Sequence, residues 1–380
     1  SVIINFFIGF STGVSAVTAA AFGGFQYRKL SRILHAVVLM SLISGAVMTV
    51  AGIGCSGIFL QWIHCPEEVF SPAQYYLRIC MMGIIPQFIY NMGNAILRSL
   101  GNTRGPLYFL TFSSGLNLVL DVLFVIGLGM GLPGAGVATV ISQWVLAMLM
   151  IWKMIRLDVR YNLQITRLFG GLEELPEIIN TGLPSGMQAV FMSISSLLIQ
   201  DSINSFGADA AAGMVVFARV EGFLYYPAFS YGMALTGFIG QNYGAGNRER
   251  IKKGTKQAFA LSILFCIFIS ALVFIFAGQL MGIFVSKAET EVIACGIKYL
   301  RVEGAFYWGI GCLFLFYGYY RAVKRAGMSV VLTVISLGMR VLLAYVLSAK
   351  VGEVGIWAAI PIGWVLADIT GLVCMLRSKL

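Results

Sequence analysis

The sequence divides almost end to end into apolar stretches of about 20 residues, the length a helix needs to cross a hydrocarbon core of roughly 30 Å, each closed by a short polar break. A chain written this way builds helices, because inside lipid the backbone groups of each stretch must satisfy one another. Only 11% of its residues are charged and 59% are hydrophobic, with a mean hydropathy of +0.87; soluble domains carry roughly a quarter charged residues. The apolar runs predict eleven transmembrane helices, over about 2–21, 34–60, 75–97, 106–128, 134–155, 178–205, 211–240, 256–284, 294–320, 328–349 and 355–376.

The net charge of +10 could suggest a nucleic-acid partner, but its distribution excludes that reading. Most Lys and Arg residues fall in alternate breaks: Arg28, Lys29 and Arg32; Arg98 and Arg104; Lys153, Arg156, Arg160 and Arg167; Arg248 to Lys256; Arg321, Lys324 and Arg325; and Arg377 with Lys379. The other breaks hold acids such as Glu67, Glu68, Asp209 and Glu289. Positive charge stays cytoplasmic during insertion, so the basic breaks and the C-terminus are expected inside a plasma (inner) membrane. The same rule puts Ser1 outside, which leads us to expect a further helix upstream.

Shifting the chain by roughly 220 residues aligns its halves. Phe22-Gly23 falls on Tyr243-Gly244, Tyr76-Leu77-Arg78 on Tyr299-Leu300-Arg301, Arg98 on Arg321, Asn117 on Arg340 and Gly134 on Gly355. The expected fold is an all-α integral membrane protein of two pseudo-symmetric bundles, six-plus-six in a complete protein. The expected division is an N-lobe of five helices over 1–155, a cytoplasmic linker over 156–177 serving as a hinge, and a C-lobe of six over 178–380. Two such lobes would bind substrate between them and alternate access by rocking.

The run Pro86 to Gly105 (PQFIYNMGNAILRSLGNTRG), then Leu116 to Asp121, Gly134 to Thr139, Gly182-Leu183-Pro184, Ile203 to Ala208 and Gly240 to Gly246, resembles the multidrug and toxic compound extrusion (MATE) family over the whole chain. The resemblance implies cation-coupled antiport, Na+ or H+ against organic, often cationic, drugs or toxic compounds, with a V-shaped cavity and no cofactor. It implies a small organic substrate and the lipid bilayer as partners; we expect a monomer. A related alternative is a flippase for lipid-linked saccharides, disfavoured because few basic residues lie deep in spans. Family members often carry functional acids on a first helix or midway along the seventh. The helix matching the seventh instead holds Gln188, Ser193, Ser195, Ser196 and Gln200 before Asp201.

A carboxylate near the bilayer centre costs at least about 2.5–3.5 kcal/mol, so it is retained where it faces a cavity or partner. Glu221 lies about ten residues into its span, roughly 15 Å deep at 1.5 Å per residue. It is the first candidate for cation or substrate binding, against a structural ion pair with Arg219, Arg301 or Arg340. Tyr225 shares its helical face. Asp201, Asn204, Gln200 and Glu303 are further candidates. Asn117 and Asp121, four apart on one face, suit a polar lock between helices. Arg98 and Arg321 close helix ends, where a cation meets the dipole favourably. His35 and His64 read as interface residues, and the seven scattered cysteines as packing thiols. With no nucleophile–base pair and no H-E-x-x-H motif, an enzyme is not expected, nor is a resident metal beyond a transported Na+.

Overall fold

The computed structural model describes residues 2–62, 65–204, 208–284 and 290–377, without the side chains of 200–204, 208–221, 223, 224, 291 and 353. The regular structure among the described residues is all helical: α1 (Val2–Gly23), α2 (Tyr27–Gly54), α3 (Ser56–Trp62), α4 (Glu67–Met81), α5 (Ile84–Ser99), α6 (Arg104–Asp121), a π-helical turn (Val122–Gly127), α7 (Gly131–Ile155), a 3-10 segment (Ile165–Glu174), α8 (Leu175–Asn204), α9 (Ala208–Gly244), α10 (Arg248–Gly282), α11 (Thr290–Gly304), α12 (Tyr307–Ala322), α13 (Ala326–Val351) and α14 (Glu353–Arg377). Eight helical segments among the described residues are long and apolar enough to cross a membrane unaided. The eleven expected spans are recognisable once α4 with α5, and α11 with α12, are taken as single spans broken midway.

The repeat is visible in these breaks. The helices α4 and α11 are each 15 residues long, and α5 and α12 are each 16. Both pairs start 223 positions apart, so the first break, Met82-Gly83, has its twin in Ala305-Phe306. The helix α2 ends at Cys55 (φ −90°, ψ 4°), and α10 kinks at Phe276 (φ −100°, ψ 15°), the matching position. Turns repeat as well. Left-handed residues occur at Phe25 and its counterpart Gly246, and at Gly101 and its counterpart Lys324. A left-handed non-glycine residue costs roughly 1–2 kcal/mol, so each repeat spends at one turn what its twin avoids with glycine.

Two helices begin earlier than hydropathy suggested. Arg28, Lys29 and Arg32 belong to α2, and the basic cluster from Arg248 to Lys256 forms the opening turns of α10. Lys and Arg are good helix formers, so the helix runs on past the hydrocarbon into the headgroup region, where their charges remain solvated.

Contacts divide the chain into two compact units, one of residues 1–24 with 180–380, the other of residues 25–179. In the first, small residues carry close helix contacts. A Cβ on Gly9 would lie 2.5 Å from Ser185 O, and one on Gly13 2.6 Å from Thr181 O. From Gly309 to Ala322 every residue of α12 is buried, making this helix the axis of the unit.

In the second unit the connector after α7 is pinned, not loose. Arg32 Nη2 lies 2.7 Å from Glu174 Oε1 and Arg32 Nη1 3.2 Å from Glu173 Oε2. Lys29 pairs with Glu177, and its Nζ is 3.9 Å from Glu174 Oε2. Gly171 fits against α2 so closely that a Cβ there would stand 2.2 Å from Arg32 O. At the exposed turn before it, Arg160 donates to Asp158 and holds that carboxyl at about 2, below the usual range.

Candidate functional site

The second unit has a polar groove among α5, α6 and α7. Its volume is about 270 Å³, with Gln87, Tyr90, Asn91, Ser113, Asn117 and Gln143 among its lining residues. One face of α5 supplies Gln87, Tyr90 and Asn91, and the same face continues through Asn94 to Arg98, at the three- and four-residue spacing that keeps side chains on one side. The opposite face of α5 is apolar and buried, holding Phe88, Ile89, Met92 and Ile96. Amphipathicity thus turns the polar stripe into the groove.

Polar groups within the unit also repair the helix break. Thr49 Oγ1 donates to Met81 O at 3.0 Å, satisfying a carbonyl that the break exposes. The Gln143 amide reaches the other side, since a Cβ on Gly83 would fall 2.0 Å from its Oε1. Ser113 Oγ donates to Ser142 O at 2.7 Å, tying α6 to α7 behind the groove.

Asn117 faces this space. Its Nδ2 and the Oδ1 of Asp121 are both buried with no hydrogen-bond partner, so the donor and acceptor expected to lock helices are held in reserve. Asp121 also closes α6 at the point where the backbone widens into the π-helical turn, a local distortion common at functional sites. Arg98 stands at the foot of the stripe, where its Nε is buried without a partner.

The first unit distributes its candidates along one axis. Glu303, 1% exposed, lies at the lip of the α11–α12 break, about 20 Å along α11 at 1.5 Å per residue. Further on, Tyr225 packs edge-on against Phe314 with centroids 4.7 Å apart. At the far end Arg321, 4% exposed, reaches Gln188 Oε1 on α8 at 3.5 Å. These are successive levels, with Phe314 and Arg321 roughly 10 Å apart along α12, not one cluster. The side chains of Glu221, Gln200, Asp201 and Asn204 lie outside the described residues, as does His64. Among the described residues, no three of His, Cys, Asp or Glu gather as a metal site would require.

Gln87, Tyr90, Asn91, Ser113 and Gln143 were not singled out as one site by sequence reasoning. The signal that could have found them is the polar stripe on an otherwise apolar α5.

A break in each repeat and a polar groove inside an apolar bundle define a helical membrane transporter. The MatE family model matches residues 1–123 and 184–346. The chain belongs to this family, the multidrug and toxic compound extrusion transporters, and is not an enzyme. It is 27% identical over 367 residues to "Probable multidrug resistance protein YpnP" of Bacillus subtilis, covering 96% of this chain and 82% of that protein. With "Probable multidrug resistance protein YoeA" of the same organism the identity is 25% over 373 residues, covering 94% and 79%. A solved MOP superfamily transporter from Pyrococcus furiosus superposes with a TM-score of 0.90 at 25% identity, covering 99% of this chain and 85% of that one.

Proposed function

We propose that the protein is an antiporter that exports organic, often cationic, compounds from the cytoplasm by alternating access, in exchange for Na+ or H+. The observation that carries this reading is the groove on α5, α6 and α7. It joins neutral amide and hydroxyl groups to an aromatic ring, and it keeps the Asn117 amide unpaired and ready for a ligand. A drug-sized molecule binds where apolar walls are combined with a few placed polar groups.

The lobes in this reading are residues 1–155 and 178–380, joined by the connector 156–177, with the basic ends and the C-terminus cytoplasmic in the plasma membrane and a monomer as the working unit. Ion coupling falls to acids of the C-terminal lobe, Glu221 first, with Asp201, Asn204 and Glu303 as further ligands. An ion bound there stabilises one orientation of the lobes and is released with the other. The names of the relatives support drug export over saccharide flipping.

The test is efflux of a cationic dye from vesicles holding the protein, under separate Na+ and pH gradients. Gln87→Leu with Asn117→Leu is expected to slow efflux by at least about tenfold, because two buried amide contacts are lost, with thermal unfolding unchanged. Glu221→Gln is expected to abolish the response to whichever gradient drives the native protein. Full dye efflux in the Leu pair would remove the groove from the pathway, and intact coupling in Glu221→Gln would remove the ion assignment.

A further inference from the structure

The repeats differ at the end that carries the basic residues. In the N-terminal repeat, the cleft between the opening of α2 and the close of α7 is covered by the chain itself. Tyr161 stacks on Tyr27 with centroids 5.8 Å apart, and the Arg160 guanidinium lies 4.3 Å from the same ring. Asn162 Nδ2 donates to Ile155 O at 3.2 Å and Leu163 N to Met154 O at 3.1 Å. The Gln164 N–H donates to His35 Nε2 at 3.0 Å, while His35 Nδ1 donates to Ser31 O at 2.6 Å. Leu163 is 2% exposed under this cover.

The register of the turns at Phe25 and Gly246, 221 positions apart, puts Arg248 in the place of Tyr27, Lys256 in that of His35, Met375 in that of Met154 and Leu376 in that of Ile155. All four positions line a groove of about 580 Å³ between α10 and α14. Its rim is cationic: Arg248, Lys252 and Lys256 follow one another at four-residue spacing on one face of α10. Among the described residues no carboxylate pairs with Arg248, Lys252 or Lys256, so these three charges repel one another. Glu249, the acid of the same turn, does not line the groove. Below the rim Thr255 is 6% exposed, and its Oγ1 is buried with no hydrogen-bond partner. The walls are apolar, from Phe259 and Leu372, and continue along α14 onto an exposed apolar flank at Ile369, Leu372 and Leu376.

We propose that this groove binds an anionic phospholipid, its phosphate among Arg248, Lys252, Lys256 and the Thr255 hydroxyl, and one acyl chain along Phe259 and Leu372. A cationic rim with a buried hydroxyl matches phosphate oxygens, and an apolar wall opening towards hydrocarbon matches a tail. A free phosphate would use only the rim, and a peptide segment would not need three unpaired cations.

The experiment is native mass spectrometry of the purified full chain, offered equal amounts of phosphatidylglycerol and phosphatidylcholine with the same acyl chains. Phosphatidylglycerol should be retained preferentially, and each of Lys252→Gln and Lys256→Gln should weaken it roughly fivefold, the effect of one cation near a lipid surface. Lys253→Gln makes the same charge change off the groove and should leave retention unaltered. Thr255→Trp, which fills the groove and keeps every cation, should also displace the lipid. Equal retention of both lipids, or equal losses in Lys253→Gln and Lys252→Gln, would overturn the proposal. So would competition by glycerol phosphate at the same concentration, which would show a site for the anion alone, and so would undiminished lipid in Thr255→Trp.

Discussion

The helices α5 and α12 occupy the same place in their repeats and have the same length, yet one carries a groove and the other a core. Gln87, Tyr90, Asn91 and Asn94 on α5 correspond to Ile310, Leu313, Phe314 and Tyr317 on α12. Where α5 presents amides to open space, α12 presents rings that meet Tyr225 and Phe229, with Phe314 centroids at 4.7 and 5.5 Å. Both helices end in arginine, Arg98 and Arg321. A duplicated backbone therefore carries two arrangements: the N-terminal copy keeps its centre polar and open, and the C-terminal copy packs its centre tightly. The difference lies in side chains, since breaks and turns agree.

The contrast is breakable. Phe314→Ala is expected to cost about 3 kcal/mol, because a fully packed ring leaves a cavity. Its counterpart Asn91→Ala should cost under about 1 kcal/mol, because its side chain borders space already open. Comparable losses of thermal stability in the two variants would show that α5 and α12 do not differ in this way.

A second asymmetry is the connector that covers the N-terminal repeat. Gly171→Leu must displace α2 or the connector, since even a Cβ stands 2.2 Å from Arg32 O; overpacking of this kind costs about 2 kcal/mol. Limited proteolysis between residues 156 and 177 should accelerate accordingly. Glu174→Ala should cost about 1–2 kcal/mol, less than a fully buried pair because Arg32 remains 43% exposed. An unchanged cleavage rate in both variants would mean that the connector is held by other contacts.

Smaller effects test the turns. Phe25→Gly and Lys324→Gly should each stabilise by about 0.5 kcal/mol, the left-handed penalty removed less the added freedom of glycine in the unfolded chain. A loss of stability in either would mean that its side chain contributes more than its backbone costs. The smallest effect is the pH dependence of the Asp158–Arg160 pair. Its carboxyl is held down at about 2, so whatever stability it adds is present above about pH 4 and lost as pH falls towards 2. Asp158→Ala should leave thermal unfolding at pH 7 nearly unchanged, and a clear drop would reveal a larger role for that turn.

Much of this was legible in the residues. The eleven spans follow from hydropathy, the repeat from Tyr76 and Tyr299, Arg98 and Arg321, and Gly134 and Gly355, and the family from the run Pro86 to Gly105. The helix breaks were not legible, because Met82-Gly83 and Ala305-Phe306 interrupt neither the apolar pattern nor the helical period. Nor was the early start of α10, since hydropathy ends a span where hydrocarbon ends, while the backbone continues helical.

By itself the sequence determined that this chain must live in lipid, as helices, in two related sets, because the cost of burying charge and unpaired backbone leaves no other arrangement. Tertiary structure alone decided which polar residues matter. Asn91 and Asn117 come from different helices, and only packing brings them to one groove. Lys252 and Lys253 are neighbours in sequence, yet only the first lines the groove beside α14. Direction around a helix follows from spacing, but what stands opposite is set by the neighbours against which that helix packs.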